Sequence, residues 1–86
     1  MQVTSKQDSW CAVVNIFAAS KKAASLWRRA EEKLKSDSIP FETFFTGDDG
    51  NAMNLAYSAS EQGFRKFIAV GGDGTIHDVL EGIMFY

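Results

Sequence analysis

This 86-residue sequence has one cysteine and one histidine, too few for thiol or imidazole metal chemistry. A lone Cys11 cannot form a disulfide within the chain, which fits a reducing compartment. It lies in the apolar run Cys11-Ala12-Val13-Val14 and reads as a buried, inert thiol. A single His77 with no cysteine beside it makes no zinc site. No apolar run approaches the ~20 residues of a membrane span, and no signal-peptide pattern is visible. The expected location is therefore cytoplasmic, with any membrane contact peripheral. A basic excess is missing as well. Nine Lys and Arg stand against eleven Asp and Glu, for a formal charge of −2, which argues against a nucleic-acid partner held by a basic face. There is no internal repeat and no low-complexity segment. Neither G-x-G-x-x-G nor a Walker A loop occurs. What is present is an ordinary globular composition, 45% hydrophobic and 23% charged, in a length that supports one core.

Residues 1–9 are polar and aperiodic, and read as a mobile leader. Residues 10–17 form an apolar run broken only by Asn15, as expected of a strand buried on both faces. From Ser20 the period changes: Ala23, Trp27, Ala30 and Leu34 recur at helical spacing, with charged residues on the opposite side. After a turn ending at Pro40, residues 41–45 are aromatic and strand-like. The turn formers of residues 46–51 follow. A second helix is marked by Ala52, Leu55, Ala56 and Ala59 and ended by Gly63 at C′. Residues 67–70 make a third strand. A third helix starts at Thr75 and buries Ile76, Val79, Leu80 and Ile83. The order βαβαβα predicts an α/β fold in three layers, a parallel sheet with helices on its faces. Phe41, Phe44, Phe45, Phe64 and Phe67, in or beside strands, read as core.

In open parallel sheets ligands bind beyond the carboxyl ends of the strands. Residues 15–22, 46–51 and 71–78 follow those ends and should share one rim. The last of these carries the strongest signal. The apolar Phe67-Ile68-Ala69-Val70 stops at Gly71-Gly72-Asp73-Gly74, and a helical pattern follows at once. Glycines remove the Cβ atoms that keep a ligand from the backbone. Successive N–H groups and a helix N-terminus then form an anion site. A carboxylate within it repels phosphate unless a cation joins the two, so Asp73 points to metal-assisted phosphate chemistry. Read without function, Asp73 or Thr75 caps the helix. Asp48 and Asp49 do not have EF-hand spacing and read as a turn feeding the second helix.

The run G-G-D-G-T-I-H-D-V-L-E-G-I resembles the signature of the diacylglycerol kinase catalytic-domain family, which includes sphingosine kinases and bacterial lipid kinases. Its glycine-glycine-aspartate-glycine core is shared with NAD kinases and, more distantly, with the phosphofructokinase-like fold. The resemblance runs from about Trp10 to Ile83. It includes the strand ending in Asn15, the strand ending Phe45-Thr46 and the helix ended by Gly63. It implies a Rossmann-like sheet and an ATP-dependent lipid kinase, with magnesium as cofactor and a lipid acceptor at a membrane surface. By the resemblance, Asn15, Thr46, Gly72, Asp73, Gly74 and Thr75 lie at the nucleotide. Asp73 handles magnesium and phosphate or acts as the base on the acceptor hydroxyl.

Family members commonly read Asn-Pro-x-x-Gly-x-Gly-Lys after the first strand. Here Ile16 replaces the proline, while Ala19 and Lys21 replace glycines; Lys22 remains, and reads as a solvated helix residue or a phosphate partner. Family members also continue into a further turn and a β-rich lobe that carries the acceptor pocket. Residues 10–86 are thus expected to be the incomplete N-terminal, nucleotide-binding part of such a domain. That part binds nucleotide weakly and is inactive alone. Two other readings stay open: an NAD kinase-like or phosphofructokinase-like enzyme with a soluble acceptor, and a non-catalytic nucleotide-binding regulatory domain. The oligomeric state is also open.

Overall fold

A computed structural model describes residues 5–17, 22–47 and 51–84. The elements alternate in chain order: β1 (Trp10–Val14), α1 (Lys22–Ser36), β2 (Phe41–Phe45), α2 (Ala52–Gln62), β3 (Lys66–Val70) and α3 (Asp73–Met84). The three strands form one parallel sheet in the order β2-β1-β3, with Trp10 opposite Phe41 on one side and Lys66 on the other. This is the expected Rossmann-like α/β arrangement.

The central position of β1 follows from its sequence. Cys11, Ala12, Val13 and Val14 are all fully buried, as a strand covered on both faces requires. Side chains alternate across a strand, so the two cores divide by parity. Ala12 and Val14 meet Trp27 of α1, with Ala30, Leu34, Phe41, Ile68 and Val70 packed around them. Cys11 and Val13 meet Ala52, Ala56 and Ala59 of α2, Phe64, and Val79 of α3. One helix therefore covers one face and two cover the other. On each face an edge-to-face aromatic pair with centroids 6.0 Å apart ties β2 into the core, Trp27–Phe41 on one and Phe44–Phe64 on the other.

Helices α2 and α3 lie close because of glycine. A Cβ on Gly82 would meet the backbone of Met53 and Tyr57 and the Cβ of Ala56. Helix α2 ends as expected, with Gly63 at φ 111° and the Phe64 amide donating back to the Ala59 carbonyl at 3.1 Å. That is the left-handed turn in which glycine is favoured.

The boundaries depart from expectation in two places. Strand β1 ends at Val14, and Ile16 and Phe17 are exposed. The Asn15 side chain accepts the Phe17 amide at 3.0 Å, a local turn that competes with the ladder. Helix α3 begins at Asp73 rather than Thr75, because the Gly72 carbonyl accepts the Thr75 and Ile76 amides. Three more residues depart from the expected burial. Phe45 is exposed on an edge strand instead of in the core, and Ile76 and Leu80 of α3 are exposed as well. Residues 5–9 make a turn in which Lys6 pairs with Glu42 at 2.6 Å and lies over the Phe64 ring. Residues 1–4 of the expected leader, Ala19, Lys21, Asp48 and Asp49 lie outside the described residues.

Candidate functional site

The strand order sets where a ligand can enter. From β1 the chain crosses to β2 on one side and later to β3 on the other, so the crevice beyond Val14 and Val70 is the switch point of the sheet. Parallel sheets bind ligands at that place because the loops diverge there and leave a gap. Asn15 and the 71–75 turn form its two walls.

Asn15 spans the gap. Its amide N–H donates to the Val70 carbonyl at 2.8 Å. Its side-chain Nδ2 donates to Thr75 Oγ1 at 3.3 Å, while Oδ1 accepts from Phe17. Thr75 is correspondingly buried, at 5% exposure. The glycines of the turn turn out to serve different ends. A Cβ on Gly71 would collide with Oγ1, Cβ and Cγ2 of Thr75, so this glycine makes room for the protein's own threonine. A Cβ on Gly74 would meet nothing within 4 Å. At Gly74 the backbone faces open space.

With the Gly72 carbonyl taking the first intrahelical bond, Asp73 and Gly74 occupy the first two positions of α3. Amides there have no partner inside a helix and carry its positive end. The exposed Asp73 carboxylate sits in the same turn. Among the described residues no three of His, Cys, Asp and Glu assemble a metal cluster. Magnesium seldom needs one, since it takes one or two carboxylates and completes its shell with phosphate oxygens and water. Asp73 beside a bound phosphate fits that donor set.

Thr46 follows β2, and its amide donates to the Val14 carbonyl at 2.9 Å. Its side chain is 4% exposed, and Oγ1 has no hydrogen-bond partner among the described residues. A buried hydroxyl without a partner is costly.

Other candidates are remote from this rim or occupied. His77 is exposed on α3 and faces Glu81 at 3.4 Å, an i,i+4 surface pair. Cys11 is buried and its thiol is pushed up to about 12, mainly by burial and further by Glu42, so it is inert as expected. A cavity of about 140 Å³ is lined by Ser60, Phe64, Arg65, Phe67 and Ile83. It lies at the entry to β3, away from the rim, and Arg65 there donates to the Ser60 and Phe64 carbonyls. No described helix is long and apolar enough to cross a membrane.

The model of the diacylglycerol kinase catalytic domain matches residues 9–85. A Bacillus subtilis (strain 168) protein named "Putative lipid kinase YtlR" is 29% identical over 77 residues, covering 86% of this chain and 25% of its own. A Chromohalobacter salexigens protein named "Probable lipid kinase YegS-like" is 44% identical over 39 residues, covering 45% of this chain and 12% of its own. The chain thus spans a quarter or less of the curated relatives it matches. No solved structure matches it significantly.

Proposed function

The chain belongs to the diacylglycerol kinase catalytic domain family, and on that premise we propose that it is the nucleotide-binding portion of an ATP-dependent kinase. The acceptor is a lipid hydroxyl, such as that of diacylglycerol, met at a membrane surface. The supporting observation is the crevice between β1 and β3, where a glycine turn runs directly into a helix.

In this reading the Asp73 and Gly74 amides take phosphate oxygens, favoured by the end of the helix. The missing Cβ of Gly74 lets the phosphate approach. The Thr46 hydroxyl, which has no partner among the described residues, turns to hydrogen-bond the nucleotide. Magnesium, when bound, neutralises charge on the transferring phosphoryl group. Asp73 is the residue that would hold it, and without a cation between them this carboxylate would repel the phosphate. The acceptor pocket would come from other parts of the polypeptide.

The test is phosphoryl transfer by the complete protein that contains this chain, assayed with lipid and soluble acceptors in parallel. The Asp73→Asn variant is expected to lower kcat by about 10²-fold or more. Wild-type turnover in the variant would refute the role of Asp73. ATP consumption with a soluble acceptor alone would move the reading to an NAD kinase-like or phosphofructokinase-like enzyme. Magnesium-dependent ATP binding with no turnover on any acceptor would make it a regulatory domain.

A further inference from the structure

We propose that Asn15 and Thr75 act on bound phosphate without touching it, as a brace that aims the first turn of α3; this rests on the nucleotide-binding reading above. Both residues are at the rim, but the side-chain hydrogen bonds they make there run to each other and to Phe17. Asn15 has one carbonyl oxygen and one NH₂ group on its side chain. The Phe17 amide can only donate, so its 3.0 Å bond fixes the oxygen toward Phe17 and the NH₂ toward Thr75. The backbone amide of the same residue holds Val70, the last residue of β3. Asn15 therefore grips the chain just before the glycine turn and again just after it.

Thr75 completes the brace from the other side. It is the third residue of α3, it is almost fully buried, and its side chain fills the space that Gly71 leaves by lacking a Cβ. The intervening Gly72, Asp73 and Gly74 are held at both ends, while the first-turn amides of the last two have no acceptor inside the helix. An unbraced turn with three glycines would sample many backbone conformations. A braced one presents its donors already oriented, so less ordering is lost when phosphate binds. Thr75 is thus a positioning residue for the site, and so is Asn15.

The experiment uses this chain with ATP and magnesium as the probe, read by titration calorimetry, and amide NMR of the free protein. Thr75→Val keeps the shape and removes the acceptor for Asn15. It is expected to weaken ATP binding about fivefold to tenfold, the size of one lost neutral hydrogen bond. In the free protein it should also shift the Asp73 and Gly74 amides and speed exchange at Ile76. Thr75→Ser restores the oxygen and should recover both. Asn15→Ala combined with Thr75→Val should bind no worse than the weaker single variant, because the pair acts as a unit. The proposal is overturned if Thr75→Val binds as wild type, or if binding weakens while the free-protein amides stay put, since Thr75 would then contact the ligand itself. Additive losses in the double variant would overturn it too. If wild type binds no ATP, the nucleotide reading fails, and the free-protein amides alone decide the brace: unchanged amides in Thr75→Val reject it.

Discussion

The same substitution at two glycines of α3 should change stability in opposite directions. Replacing an interior helical glycine by alanine gains about 0.8–1.0 kcal/mol of helix propensity. At Gly82 the new methyl would lie 2.9 Å from Ala56 Cβ and 3.1 Å from Tyr57 N, and closer still to the Met53 carbonyl oxygen. Two of these three atoms are backbone of α2 and cannot rotate away, so the helices must separate and loosen Ala56 and Val79. Overpacking of this kind costs about 1–3 kcal/mol, and a rigid obstacle puts the cost in the upper half of that range. The net for Gly82→Ala is a loss of about 1–2 kcal/mol, which in a domain of this size lowers Tm by roughly 5–15 °C. At Gly74 nothing lies within 4 Å of the added Cβ. Gly74 lies in the first turn, so Gly74→Ala gains only part of that interior propensity and should raise Tm by about 1–4 °C. Thermal melts followed by circular dichroism decide the matter. If Gly82→Ala melts at or above wild type, the close approach of α2 and α3 is wrong. If the proposed function holds, Gly74→Ala should also bind ATP more weakly, because its methyl would occupy the open space at the start of α3.

Two further outcomes follow from the core. Removing Phe64, fully buried against Phe44, should cost about 3–5 kcal/mol as Phe64→Ala. That is a large share of the roughly 4–13 kcal/mol expected for a domain of this length, so its urea midpoint should collapse toward zero. The Cys11 thiol, raised from 9.0 to about 12 mainly by burial, keeps its proton in the folded chain after the unfolded chain has lost it. Its contribution to stability is complete below pH 9 and is lost as pH rises toward about 12. Urea titrations across that window should show a falling midpoint that Cys11→Ala flattens, and a slope unaffected by the substitution would refute the shift.

Much of the architecture was legible because burial leaves periodic traces. The run Cys11-Ala12-Val13-Val14 read as a strand covered on both faces, and the spacing of Ala23, Trp27, Ala30 and Leu34 as one face of a helix, and both are so. Gly63 marked the end of α2 because a left-handed turn needs it. What periodicity does not encode is where hydrogen bonds go. Asn15 ended β1 early by capturing the Phe17 amide, and the Gly72 carbonyl started α3 two residues before the apolar pattern does. Phe45, Ile76 and Leu80 look like core by type and are exposed, since pattern alone does not say which strands are edges or which helix face finds a neighbour. The rim residues were found in sequence, but not their division of labour. Gly71 and Gly74 look alike on paper, yet one accommodates Thr75 and the other faces open space.

The order β2-β1-β3 also bears on folding kinetics. Strand β1 can pair with β2 after one intervening helix, but Trp10 reaches Lys66 only across α1, β2 and α2. Loop closure is slower for the more distant partner, so the pairing that creates the crevice between β1 and β3 is the less local of the two. A partly folded chain with β1 and β2 joined would bury much of one core and still have no crevice. Nucleotide would then favour only molecules whose third strand has docked, and would raise their share by mass action.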